Sequence, residues 1–222
     1  MSLVHLIREP AGDPDGALVL NHGRGVSEHD LFPLLDQLDP ERRLLGVTPG
    51  GRHWYLVPRV GYPDPATFHR SYDLLTAFLD ELLAERGIAW ERIVIGGFSM
   101  GAVMAYAVAL GEGRPSPAAI LALSGFVPTV DGWAPQLAGR EGLPVLIHHG
   151  RHDPIMDVGF GRRSSCARAA WRSGTWRATP ATGYPRRRSA PRPISSARPS
   201  PRRPERISRP DQGSRARSSP VS

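Results

Sequence analysis

One serine sits between two glycines at the point where a β-branched run gives way to a run of small residues. Arg92-Ile93-Val94-Ile95-Gly96 leads into Gly97-Phe98-Ser99-Met100-Gly101, and Ala102-Val103-Met104-Ala105-Tyr106-Ala107-Val108-Ala109-Leu110 comes next. A strand that turns directly into a helix leaves little room beside the turning residue, and flanking glycines remove the Cβ atoms that would collide. The small side chains downstream let the helix pack closely on a sheet. This pattern predicts a sheet covered by helices, with the serine hydroxyl presented at the carboxyl end of a strand, as in a nucleophile elbow. A purely structural Gly-Ser-Gly turn is the competing reading.

The rest of residues 1–163 alternates in the same way. Strands are predicted over 2–7, 17–21, 44–48, 118–123 and 144–148, and helices over 30–38 and 65–86, with a weaker helix around 133–138. In the longest helix Phe68, Tyr72, Leu75, Phe78, Leu79, Leu82 and Leu83 recur at three- and four-residue steps and form one apolar stripe. Asp64 before Pro65 is a natural N-cap, and Gly87 a natural stop. Alternation of this kind predicts an α/β fold, a mostly parallel sheet with helices on both faces.

Charge divides the chain. Residues 1–160 carry 12 Arg against 19 acidic residues, net −7, whereas residues 161–222 carry 16 Arg against 2, net +14. The Arg-rich segment has 12 Ser and 9 Pro, no Leu or Phe, and only Ile194, Ile207 and Val221 as branched aliphatics. Too little apolar surface is available there to offset chain entropy, so a disordered tail is expected. Cys166 is the only cysteine, which excludes a disulfide framework and points to a reducing, cytoplasmic setting. No apolar run approaches the length of a membrane span.

Three polar clusters fall at predicted strand ends, where α/β folds bind their ligands. They are His22-Gly23-Arg24-Gly25, the turn at Ser99, and His149-Gly150-Arg151-His152-Asp153-Pro154. A serine hydroxyl is a weak nucleophile, so it needs a base to take its proton and donors to hold the oxyanion formed on attack. The donors expected here are backbone amides, that of Met100 after the serine and that of Arg24 or Gly25 in the early glycine-rich turn, with the Arg24 side chain at the rim. His22 also reads as a buried structural imidazole in an ordinary tight turn. Asp153 comes after Ser99 in the order a triad acid would, although Asp before Pro is also a common turn residue. His53-Trp54-Tyr55 and Phe126-Val127 are candidates for lining an acyl pocket, with loop packing the equal alternative.

These clusters, together with Leu123-Ser124-Gly125-Phe126-Val127-Pro128, resemble in content and order the phospholipase/carboxylesterase family of α/β hydrolases. That family includes small bacterial serine esterases and the acyl-protein thioesterases. The resemblance covers residues 1–163 and then stops, which suggests an α/β-hydrolase domain over 1–163 lacking its last strand and helix, and a tail over 164–222. It implies Ser99 as nucleophile, Asp153 as triad acid, a small ester or acyl substrate, and no metal or organic cofactor. Relatives often carry glutamine where this chain has Met100; only the backbone amide is used there, so the role is retained.

In this fold the histidine comes after the acid. The eight histidines are at 5, 22, 29, 53, 69, 148, 149 and 152, so none lies beyond Asp153. His152 is a poor substitute, because adjacent loop side chains diverge. The codons of Pro180-Ala181-Thr182-Gly183-Tyr184-Pro185, read two bases later, can encode Gly-His-Gly-Ile-Pro. That fits the histidine the resemblance implies and points to a displaced reading frame after about residue 163. A native disordered tail is the other reading. The functional expectation is a serine carboxylesterase impaired by loss of its base. The alternatives are a pseudoenzyme that binds esters without turnover, or a binding protein whose Arg-rich tail contacts nucleic acid non-specifically.

Overall fold

The computed structural model describes residues 3–150 together with His152 and Asp153. The expected tail, its latent Gly-His-Gly segment, Cys166, and the expected loss of a last strand and helix lie outside the described residues.

Among the described residues six strands form one sheet in the order β1-β3-β2-β4-β5-β6, parallel except for β1. They are β1 (His5–Arg8), β2 (Gly16–Asn21), β3 (Leu44–Pro49), β4 (Ile93–Phe98), β5 (Ala119–Leu123) and β6 (Val145–His148). Three helices connect them: α1 (Phe32–Leu38), α2 (Pro65–Glu85) and α3 (Met100–Leu110). Alternate residues of each strand point to opposite faces. Ala17, Val19, Ile93, Ile95, Ile120 and Ala122 join the core beneath α2 and α3, while Leu18, Leu20 and Leu121 meet Leu35 of α1 on the other face.

α2 begins where the sequence indicates, with the Asp64 carboxylate accepting from the Thr67 amide at 2.9 Å. It ends at Glu85 with Arg86 as C-cap, and Gly87 follows at φ +64°, the left-handed conformation glycine tolerates. The expected helix around 133–138 is absent. Val130 and Trp133 pair in an isolated bridge around Gly132, at φ +79°, and Pro135 has no amide to give a helix. Instead the segment caps α3: the Gln136 amide donates to Leu110 O at 2.7 Å, and the Arg140 guanidinium donates to Gly111 O and Arg114 O.

Arg8 ties the far end of the sheet together. Its buried guanidinium donates to Leu35 O, Leu44 O and the Asp39 carboxylate. No described helix is long and apolar enough to cross a membrane.

Candidate active site

The turn between β4 and α3 has almost no free space. Ser99 adopts φ 53°, ψ −114°, a region non-glycine residues rarely occupy. A Cβ on Gly97 would sit 2.5 Å from Asn21 O and 2.6 Å from Gly101 C, and one on Gly101 would sit 2.0 Å from Asn21 O. The first turn of α3 therefore lies directly on the end of β2, which only glycine permits. Surrounding bonds hold the strained residue: its amide donates to Leu123 O at 2.8 Å, and its carbonyl accepts from the Ala102 and Val103 amides. All of α3 is buried, as its small residues suggest.

The loop after β2 closes on this turn from the side. His22 is buried, its Nδ1 is 2.7 Å from Gly23 O, and its ring lies 5.1 Å from that of Trp54. A Cβ on Gly23 would be 3.0 Å from the Phe98 ring, so the loop presses on the residue before Ser99. Of the two amides considered as oxyanion donors, that of Gly25 already donates to Arg52 O at 3.0 Å. The Arg24 amide is thereby favoured for a ligand. Met100 is the first residue of α3, so its amide has no intrahelical acceptor and lies at the positive end of the helix dipole.

Both residues border a groove together with Ser99, Ser124, Tyr55 and Phe126. The outer wall comes from Val57, Val60, Gly61, Tyr62 and Pro63. The sequence pattern points to none of these five. Their one local signal is the Gly61-Tyr62-Pro63 turn, closed by an Arg59–Tyr62 bridge with the Arg59 guanidinium 3.6 Å over the Tyr62 ring. Burial pushes the Tyr55 hydroxyl well above the usual phenol range, so it remains protonated. Trp54 does not line the groove. It lies beneath, with its indole N–H donating to His22 O at 2.9 Å and its amide contacting the Met100 sulfur at 3.4 Å. Trp54 thus couples the two loops instead of meeting a ligand. His53 is exposed and, with Val127, lies outside the groove lining.

The third strand end differs. Asp153 is placed in the loop after β6, with its amide bonded to Gly150 O, and its carboxylate lies 3.6 Å from Nε2 of His149. Both side chains are largely buried, whereas His148 and His152 are exposed. Sequence reasoning considers His152 and passes over His149, although the four-residue spacing to Asp153 is legible in the chain. A backbone bond from the Ser124 amide to His148 O, with that from Ser99 to Leu123 O, aligns the ends of β4, β5 and β6. Among the described residues no group of three or more His, Cys, Asp or Glu side chains is arranged to hold a metal ion.

Comparison with known proteins places this geometry. The phospholipase/carboxylesterase family model matches residues 40–176. Acyl-protein thioesterase 1 of Debaryomyces hansenii is 31% identical over 137 residues, 57% of this chain and 58% of that protein. The same-named protein of Cryptococcus neoformans is 33% identical over 183 residues, 73% of this chain and 76% of its own length. The chain thus spans little more than half of the Debaryomyces relative. In fold, the chain is like the Bacillus cereus carboxylesterase, with a TM-score of 0.63, 24% identity, and coverage of 72% of this chain and 76% of that one. The match to more than half of the chain, on an α/β-hydrolase sheet with a strained serine at the end of β4, makes this chain a member of the phospholipase/carboxylesterase family.

Proposed function

We propose that this chain carries the nucleophile and oxyanion hole of a serine carboxylesterase acting on small carboxylic or acyl esters. The observation that supports this best is Ser99 held at φ 53° on a groove bordered by Arg24 and Met100. In the reaction the Ser99 oxygen attacks the ester carbonyl while its proton passes to a base. The Arg24 and Met100 amides stabilise the tetrahedral oxyanion, the alcohol leaves, and water hydrolyses the acyl-enzyme. The apolar wall from Tyr55 to Pro63, with Phe126, takes the acyl portion, and the Arg24 side chain sits at the rim.

Asp153 is proposed as the triad acid, orienting a histidine that this sequence does not supply beyond it. The chain is accordingly an impaired hydrolase, with residues 1–163 as the hydrolase domain and 164–222 as a basic tail. A pseudoenzyme that binds esters in the same groove is the second reading, favoured by that lack of a downstream histidine. A cytoplasmic location and non-specific contact of the tail with nucleic acid complete the proposal. Hydrolysis of a short-chain chromogenic ester, with Ser99→Ala as control, tests it. Residual turnover that disappears with Ser99 supports a nucleophile. Ester binding with no Ser99-dependent turnover favours the pseudoenzyme.

A further inference from the structure

The two ring nitrogens of His22 stand in opposite states, one bonded and one not. Nδ1 meets Gly23 O at 2.7 Å, so this nitrogen carries the ring proton, and Nε2 is left as a buried lone pair without a hydrogen-bond partner among the described residues. A buried acceptor without a donor is destabilising, and a ring that only filled space beside Trp54 would do so better without it. The bond through Nδ1 is therefore the reason to look for a role.

Gly23 O belongs to the same peptide unit as the Arg24 amide. In a trans peptide the C=O and N–H point in opposite directions, and the described residues contain no cis bond. Holding the carbonyl inward, on the buried His22 side, turns the Arg24 N–H outward to the face on which Arg24 meets Ser99 and Met100. The residue whose torsion rotates this plane is a glycine, the residue least able to hold its own orientation. On either side the chain is already fixed, by Trp54 Nε1 donating to His22 O and by Gly25 N donating to Arg52 O. The Gly23–Arg24 plane between them is held by the imidazole.

We infer that His22 is the positioning residue of the oxyanion hole, setting the Gly23–Arg24 peptide so that its N–H faces the carbonyl attacked by Ser99. The inference rests on the proposed roles of Ser99 and Arg24. His22 touches no reacting atom; it acts through the Arg24 amide alone.

Three substitutions separate this role from packing. His22→Phe keeps the ring against Trp54 and removes the donor. His22→Gln moves the donor to the Nε2 position, and His22→Asn keeps one near Nδ1. Ser99 phosphonylation by an alkyl fluorophosphonate, in which the Ser99 oxygen displaces fluoride, its proton passes to solvent and P=O enters the oxyanion hole, should slow about 10- to 100-fold in the Phe and Gln variants and less than about 3-fold in Asn. Arg24→Pro deletes the amide itself, so adding His22→Phe to it should cause no further loss. A folded His22→Phe that reacts as the parent chain does, or whose loss adds in full to that of Arg24→Pro, overturns the inference.

If the parent chain, lacking its base, reacts too slowly to follow, the roles of Ser99 and Arg24 stay with the ester assay, and His22 is judged by the Gly23 carbonyl carbon resonance. Its shift in the Phe and Gln variants but not in Asn supports positioning, and its constancy overturns it. Failure of both the Phe and Gln variants to fold while Asn folds would make His22 a folding residue and equally overturn it.

Discussion

The carboxyl ends of β4 and β6 carry the two groups on which the proposed chemistry depends, and they are built in opposite ways. At the β4 turn the backbone is constrained: a Cβ on glycine 97 or 101 would meet backbone, Ser99 is strained and α3 is wholly buried, although Phe98 is 44% exposed. At β6 Leu146 is 46% and Ile147 41% exposed, and a Cβ on Gly150 would meet nothing closer than 3.9 Å. Among the described residues β6 is the last strand of the sheet. The backbone under Ser99 is closely packed, while the strand end that carries the proposed triad acid is packed loosely among the described residues. Strain can be maintained only where packing over-determines it, and Ser99 is held by its bonds to Leu123, Ala102 and Val103.

The largest effect expected from this contrast is on turnover. On the proposed reading, restoring a displaced frame after about codon 163 would supply a histidine and the final elements to β6 and leave β4 untouched. Loss of the base in a protease triad costs on the order of a millionfold, so repair should raise Ser99-dependent ester hydrolysis by several orders of magnitude. A repaired protein that stays inert breaks the comparison at its weaker end.

Glycine substitutions probe the same contrast through stability. Gly101→Ala should destabilise by about 3 kcal/mol or more, because the added carbon meets backbone that cannot swing away, whereas Gly150→Ala should change stability by less than about 0.5 kcal/mol. Urea melts of the two variants decide this, and similar midpoints would contradict it. Leucines behave in parallel. Leu79→Ala, fully buried on α2, should cost about 2–5 kcal/mol, and Leu146→Ala under about 1 kcal/mol. Leu146→Lys should instead reduce self-association, measured by light scattering, since β6, the last strand among the described residues, exposes Leu146 and Ile147, and an exposed apolar edge templates pairing between chains. Scattering unchanged by the charge would clear β6 as the sticky element.

The smallest expected effect lies at the opposite edge of the sheet. Burial works to raise the Asp39 carboxyl, but amide bonds from Leu44 and Arg43 and its pairing with Arg8 outweigh this and hold it below the ordinary value of 3.8. A depressed folded pKa contributes stability that is fully present above the unfolded value and is lost as pH falls through the folded one. Acid titration of the melting temperature should therefore show a decline starting near pH 4 that is weaker in Asp39→Asn.

Much of this is legible in the sequence because it is local. Alternating strands and helices, the α2 stripe between Asp64 and Gly87, and the glycines around Ser99 each come from spacing within a few residues. The helix expected around 133–138 fails because a tertiary demand, capping the end of α3 through Gln136 and Arg140, overrides a weak periodicity. Trp54 reads as a pocket residue because an aromatic in a loop gives no sign of which side faces the ligand. Its bonds to His22 and Met100 cross 32 and 46 residues of sequence, a distance at which no local pattern speaks. The groove wall of Val57, Val60 and Tyr62 escapes sequence reasoning for the same reason.

Ser99-dependent hydrolysis of a short-chain chromogenic ester by the chain as it stands is the most direct test of the central claim, that a formed nucleophile site lacks its base. A trace rate is expected, abolished by Ser99→Ala and on the order of a millionfold below that of an intact relative measured alongside. Robust turnover that depends on Ser99 would contradict it, and would mean that a base reaches the serine from elsewhere, with His149 beside Asp153 the first residue to replace.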